Sequence, residues 1–432
     1  PLLFCVQSIT AGRMRQEGIN LKNGYCRFCG QALDHTLADL GLSPLANEYL
    51  KESDLSRGQI FYPLKVQVCG SCLLAQAELY QQPEQIFGNY QYFSSYSASW
   101  LAHCKDYVDM IVKRLTLTPA NRVLEIACND GYLLQYFKHY GIPVKGVEPA
   151  ENVASEARAK GIEVECCFFH KDSAKRIADQ DGRYDLVIGN NVLAHVPDIN
   201  SFVSGLAAVL GPEGTITMEF PHLMRLMEEN QFDTIYHEHF YYFSLTAVQK
   251  IFQAHGLDIY DVEEMSTHGG SLRIYAAHRG TQSVRAAVAG LLSREHAAGM
   301  TDLSQYTGFA ERMLHIKLET VELFSRLRQA GKHIAAFGAA AKGNTFLNYC
   351  GIKSDMIDFV VDSNPHKQGC YLPGSLIPIL SPEALRQYQP DYVLILPWNL
   401  TEEIVDSARF VEEWGGEFIT CIPEVRIFHG KS

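Results

Sequence analysis

The sequence predicts an α/β protein: two strand–turn–helix–strand modules, with a small metal-stapled domain ahead of them. Three observations carry this expectation. Asn121 to Glu148, NRVLEIACNDGYLLQYFKHYGIPVKGVE, runs from a short apolar stretch through small turn-forming residues into helical spacing, then back to strand character ending on an acid. His333 to Asp362 repeats that grammar around Gly338 and again stops at an acid. Two CxxC knuckles, Cys26-Arg27-Phe28-Cys29 and Cys69-Gly70-Ser71-Cys72, precede both modules.

Residues 1–23 read as an extension without the basic start and long apolar core of a signal peptide. Residues 24–84 hold the knuckles. Each knuckle presents two thiolates from one tight turn, so Cys26, Cys29, Cys69 and Cys72 together suit a closed tetrahedral metal site, which is structural. A redox CxxC is the competing reading, but it needs only one pair, placed after a strand at a helix start. The segment FYPLKVQVC alternates like a strand. A piece this short buries little core, so the metal would hold it together.

Residues 85–280 form the first α/β domain. Asn89 to Trp100, NYQYFSSYSASW, is either a loop with packed aromatics or a lid carrying the Tyr90 phenol, and a helix follows over residues 98–115. A small-residue turn lets a ligand approach the backbone at a helix start, and an acid ending the next strand suits a ribose diol. Gly131 and Asn129 form that turn, and Glu148 is the acid. The GxGxxG of NAD enzymes is absent, because its first two glycine positions hold Ala127 and Asn129. With Glu125 inside the first strand, the pattern looks like a class I S-adenosylmethionine-dependent methyltransferase. A third strand is expected around Cys166-Cys167-Phe168-Phe169, an apolar wall for an adenine ring or simply core. Tyr184 to Ile188 is a buried strand, so Asn190, Asn191 and His195 fall beyond its carboxyl end, where ligands of open α/β sheets sit.

The stretch Thr234 to Ser244, TIYHEHFYYFS, sets Tyr236, His237, Glu238 and His239 among aromatic residues. Burial beside a carboxylate tunes a histidine as a base near neutral pH. An HxH metal pair and a satisfied polar cluster are the alternatives. Asp258–Val262 and Ser271–Ala277 read as a closing pair of strands. Residues 281–330 are a helical connector with apolar positions including Met313, Leu314, Ile316, Leu318 and Leu323. In residues 331–432, Lys342 stands near a helix start, where a cation and backbone N–H groups could hold a diphosphate. The P-loop pattern is missing, so ATP hydrolysis is not indicated.

The chain has 432 residues and a net charge of 37 − 49 = −12, which argues against a general nucleic-acid binder. No run approaches the ~20 apolar residues of a membrane span. Cysteines outside the knuckles are scattered through apolar runs, as expected of reduced thiols in the cytoplasm.

Nine motifs in order, CRFCG, CGSC, NYQYFSSYS, LEIACNDGYLL, NNVLAHVPD, YHEHFYYFS, FGAAAKGN, VDSNPHKQG and LPWN, resemble the sugar C-methyltransferases of nucleotide-linked deoxysugar pathways. The resemblance covers residue 24 to the end. It implies a zinc-binding N-terminal domain, a class I methyltransferase Rossmann-like domain and a second Rossmann-like C-terminal domain. It also implies S-adenosylmethionine as cofactor, structural zinc on the four cysteines, and methylation at carbon of a dTDP-4-keto-deoxysugar, C3 ahead of C5. Tyr236, Glu238 and His239 would be catalytic, with Tyr90 and His195 at the same site. Glu125, Asn129, Gly131, Glu148 and Asn190 would hold the cofactor. Lys342, Asn344, Trp398 and Asn399 would face the sugar nucleotide. The mechanism expected is deprotonation beside the ketone by His239, oriented by Glu238, with an enolate held by Tyr236, Tyr90 or His195. Ala127-Cys128 departs from the Gly-Ser that relatives often have there. A methyltransferase acting on RNA or protein, and a non-catalytic nucleotide sensor, are the rival functions.

Overall fold

The apolar runs fall into three groups, and each closes a sheet of its own. The computed structural model describes residues 23–81, 94–96 and 98–430. Strands β1 (His35–Ser43), β2 (Tyr62–Val68) and β3 (Ala75–Ala77) form an antiparallel sheet beside the knuckles. Its fourth strand arrives from far along the chain. Tyr241 and Tyr242 pair with β3 in the register Gln76↔Tyr241 and Ala75↔Tyr242.

The middle sheet has seven strands: β4 (Val123–Ile126), β5 (Val144–Val147), β6 (Glu163–Glu165), β7 (Tyr184–Asn190), β8 (Leu210–Pro221), then β10 (Leu257–Met265) and β11 (Ser271–His278), with Tyr241–Tyr242 intervening in sequence as β9. Their order is β10-β11-β8-β7-β4-β5-β6. The five strands from β8 to β6 are parallel, and β11 and β10 close the edge antiparallel. The chain leaves β4 toward β5 and later returns on the other side as β7, so a crevice opens at the carboxyl ends of β4 and β7. All four residues of β4 are buried, as the covered faces of a parallel sheet require. The third strand is shorter than the sequence suggested. It ends at Glu165 because His170 caps the helix Lys171–Asp181, and Phe169 turns into the core, edge-on to Phe202 at 5.4 Å.

Helices Ala286–Ala297 and Leu303–Gln329 lead to the last sheet. The longer one buries Phe309, Met313, Ile316, Leu323 and Phe324. Leu314 and Leu318, expected on apolar faces, are exposed, since a stripe at helical spacing through 313, 316 and 323 points away from them. The final sheet comprises β12 (Ile334–Phe337), β13 (Phe359–Val361), β14 (Ile379–Leu380), β15 (Tyr392–Ile395), β16 (Glu417–Thr420) and β17 (Arg426–Phe428), ordered β14-β13-β12-β15-β16-β17. It repeats the doubly wound plan, parallel except for β17. Among the described residues no helix is long and apolar enough to cross a membrane.

Candidate functional site

The turn after β4 is built without the usual glycines. Ala127, Asn129 and Gly131 all take left-handed backbone, at φ 58°, 50° and 76°. Gly131 is required there, because a Cβ would lie 2.4 Å from Ile162 Cδ1. Asparagine tolerates the conformation, whereas Ala127 is strained in it. Glu148, just past β5, accepts the backbone N–H groups of Asn129 and Ala150, each at 3.0 Å. Asn129 Oδ1 accepts the N–H of Ser94, which ties the incoming segment to the turn. Glu125 is fully buried with the Tyr132 hydroxyl beside it and no close hydrogen bond, and Asn190 Nδ2 at the end of β7 is buried without a partner. Burial pushes the Glu125 carboxyl well above its ordinary range, and the charges of Glu148 and Asp130 push it further. Orphaned polar atoms at the carboxyl ends of β4 and β7 fit a polar, cationic ligand such as the aminoacyl end of S-adenosylmethionine.

Across the crevice, the segment after residue 232 gathers with the turn after β7. The rings of His195 and His239 are 4.8 Å apart, and Tyr236 lies 4.0 Å from His239. Each imidazole gives its Nδ1–H to a backbone carbonyl, His195 to Glu238 at 2.8 Å and His239 to Thr234 at 2.9 Å. That sets Nε2 as the acceptor nitrogen in both. Burial pushes His195 down to about 4 and His239 well below 6.5, so both are neutral at ordinary pH.

Glu238 does not orient the His239 ring, as the sequence suggested. It turns the other way and accepts from Asn47 Nδ2 of the zinc module at 2.6 Å. His237 is buried, with Nε2 against the Pro63 carbonyl at 3.2 Å and its ring edge-on to Tyr62. His237 and His239 thus serve different hydrogen bonds and do not converge as an HxH pair. Tyr90 lies outside the described residues.

Desolvation raises Glu238 to about 7. Its folded pKa therefore exceeds the unfolded one, so its contribution to stability is full below about 4.5 and is lost as pH rises through 7. Glu238→Gln keeps the Asn47 contact and cannot ionise. At pH 8 this variant is expected to be the more stable protein by ~1–3 kcal/mol in urea titrations. Equal stabilities at pH 8 would contradict the raised pKa.

The far wall comes from the last domain. Lys342 Nζ donates to Asn399 Oδ1 at 2.7 Å and sits 4.7 Å from the Trp398 ring centroid. Trp398 Nε1 donates to Asp233 Oδ2 at 2.8 Å, next to the imidazole segment. Burial pushes the Lys342 ammonium down, opposed by the charge of Asp233. Lys342, Trp398, Asn399, His195, Tyr236 and His239 are all half-buried, as residues lining a cleft are. Asn344 does not join them. It is 1% exposed and donates to the Ala46 carbonyl at 2.5 Å, so it fastens this domain to the zinc module and offers a ligand no access.

The four knuckle cysteines converge. Cys26 and Cys72 sulfurs are 3.6 Å apart, Cys29 and Cys69 sulfurs 3.5 Å, and all four lie within 4.8 Å of one another. Tetrahedral zinc with bonds of ~2.3 Å needs sulfurs ~3.8 Å apart, so the donor set fits. Between the cysteines, Arg27 reaches the Ala77 carbonyl at 2.8 Å, the Phe240 carbonyl at 2.7 Å and Tyr241 OH at 3.1 Å.

Asn47, Asp233 and His268 also stand at the site, unannounced by any motif named above. Asn47 and Asp233 carry no local pattern. His268 carried one, the two glycines that follow it.

Comparison with known proteins agrees with this layout. Residues 26–87 match a zinc binding domain family, 100–262 a methyltransferase domain family, and 266–423 the C-methyltransferase C-terminal domain family. The C-methyltransferase NovU of Streptomyces niveus is 38% identical over 408 residues, 94% of this chain and 97% of that protein. A ubiquinone biosynthesis O-methyltransferase of Bordetella avium is 34% identical over 97 residues, 22% of this chain and 40% of that one. Among solved structures, the PH0226 protein of Pyrococcus horikoshii OT3 aligns with 46% of this chain and all of its own, at 17% identity and TM-score 0.37.

Proposed function

Because this chain belongs to the C-methyltransferases, we propose that it methylates carbon beside the ketone of a nucleotide-linked 4-keto-deoxysugar, in the cytoplasm. dTDP is the nucleotide and C3 the position we favour. The observation that carries the reading is the pair of imidazoles whose Nδ1–H groups are spent on the Thr234 and Glu238 carbonyls. A neutral Nε2 in a dry pocket is what proton abstraction from a ketone-activated C–H requires.

His239 is the base in this scheme. Its proton comes off the sugar carbon, and the enolate oxygen accepts a hydrogen bond from Tyr236, 4.0 Å from His239 between ring centroids. His195 borders the same space. Asp233, through Trp398, and Asn399 hold the Lys342 wall in place, so an ammonium faces the anionic part of the substrate. Burial lowers the Lys342 pKa from its ordinary value, and an anion arriving beside it would raise it again. Glu125, Asn129, Gly131, Glu148 and Asn190 would hold S-adenosylmethionine, whose sulfonium would supply the methyl group to the enolate carbon and leave as the neutral thioether. Zinc on Cys26, Cys29, Cys69 and Cys72 has four protein ligands and no open position, so its part is structural.

Mass spectrometry of products after incubation with S-adenosylmethionine and a panel of 4-keto nucleotide sugars tests the reading. A gain of one methyl on carbon of a dTDP sugar supports it, and no methylated sugar across the panel refutes it. Lys342→Met is expected to raise KM for the sugar nucleotide ~10–100-fold with little change in donor affinity, the loss of one charge-assisted contact. An unchanged KM would remove Lys342 from the substrate site.

A further inference from the structure

The turn from Ser266 to Gly270 presents one more imidazole to the cleft. His268 takes left-handed backbone, φ 56° and ψ 20°. Asn191, at φ 53°, does the same 77 positions earlier, and the two side chains meet, Asn191 Nδ2 to His268 Nε2 at 3.1 Å. Asparagine tolerates this backbone, and a histidine there is uncommon enough to persist only where the surroundings hold it.

Here the surroundings do enforce it. Thr267 Oγ1 donates to Glu219 Oε1 at 3.0 Å, and the Gly269 carbonyl accepts from Gln231 Nε2 at 2.6 Å. The Gly270 carbonyl accepts the His222 N–H at 3.0 Å. Trp398 closes over Gly269 so tightly that a Cβ there would lie 2.3 Å from its ring. The turn is rigid, yet the His268 side chain stays exposed to the cleft.

Its position is equally specific. The ring is 5.5 Å from Trp100, which also stacks on His103 at 5.0 Å and lies 6.1 Å from Tyr132 of the cofactor turn. His268 is also within electrostatic reach of His239 and Lys342. It therefore neighbours both the Trp100 wall and the imidazole pair. The Asn191 amide donates to Nε2, so the ring proton sits on Nδ1, and Asn191 Oδ1 is a buried acceptor without a partner. With Nε2 taken by Asn191, Nδ1–H is the donor His268 has left, and it suits an oxygen acceptor such as a sugar hydroxyl.

We propose that His268, oriented by Asn191, is a substrate-positioning residue that hydrogen-bonds an oxygen of the acceptor sugar and sets the target carbon between donor and base. This rests on the acceptor being a nucleotide sugar.

His268→Gly and His268→Asn test it in the full-length, zinc-loaded protein. Glycine relieves the left-handed backbone, and asparagine tolerates it while keeping a polar side chain. The glycine variant should melt at or above the wild-type temperature and bind S-adenosylmethionine with unchanged affinity. Its KM for the sugar nucleotide should rise ~3–10-fold, the range of one neutral hydrogen bond, and asparagine should recover part of that loss. A glycine variant with wild-type KM and kcat overturns the proposal, as does a parallel fall in donor affinity. If unsubstituted protein methylates no sugar of the panel, the substrate reading itself fails and takes this inference with it; that failure is recognised because it precedes any substitution.

Discussion

Replacing His239 by Asn is expected to lower kcat by ~10²–10⁴-fold, the usual contribution of a positioned acid–base group, with S-adenosylmethionine binding intact. The expectation follows from where the ring sits. Its Nδ1–H is committed to the Thr234 carbonyl at 2.9 Å, so Nε2 is the nitrogen able to take a proton. The donor crevice at Glu125 and Glu148 belongs to different strands. Exchange of the sugar C–H with deuterated water in the absence of donor should also stop in this variant, which separates proton abstraction from methyl transfer. Because burial holds the His239 pKa well below 6.5, the wild-type rate should already be on its plateau at neutral pH and fall only on the acid side. A variant that still exchanges deuterium at the wild-type rate would assign the base elsewhere, with His195 the first candidate.

Stripping zinc, or replacing Cys29 by Ser, is expected to abolish turnover altogether, although no cysteine touches the cleft. Structural zinc contributes ~10–16 kcal/mol of apparent binding energy that small modules depend on to fold. In this chain the module also supports the segment that carries Tyr236 and His239. β3 pairs with Tyr241 and Tyr242, Arg27 holds Tyr241 and the Phe240 carbonyl, and Asn47 holds Glu238. Loss of the metal should therefore displace residues 236–242 before it reaches the donor crevice. Zinc content measured with a chromogenic chelator should track activity, and S-adenosylmethionine affinity should decline later in the titration. Zinc-free protein with full activity would show that the module does not support the site.

Local pattern was enough for some of this. Periodicity and turn residues located β4, β5, β7 and the closing pair β10–β11, and the paired CxxC spacing marked the four sulfurs. His195 and His239 were flagged separately in the sequence, and the fold brings their rings within 4.8 Å. The two misplaced site residues share one cause. Glu238 looked like the partner of His239 because it is adjacent in sequence, but neighbours in a tight turn face apart, and its partner is Asn47, 191 positions away. The resemblance implied that Asn344 faces the sugar nucleotide, and the Ala46 carbonyl, 298 positions away, claims it. Contacts that span domains leave no trace in a window of sequence. His268 differs: left-handed backbone is uncommon outside glycine, and the surrounding tertiary contacts hold it there.

The sharing of Tyr241–Tyr242 with the N-terminal sheet limits how relatives of this enzyme can be recombined. A chimera joined between residues 81 and 98 would look safe by domain boundaries, yet it would mate one parent's edge strand and Asn47 with the other parent's 232–244 segment. Exchange of residues 23–81 together with 232–244 keeps the two halves of that sheet co-inherited, and such paired grafts are the ones expected to yield active hybrids.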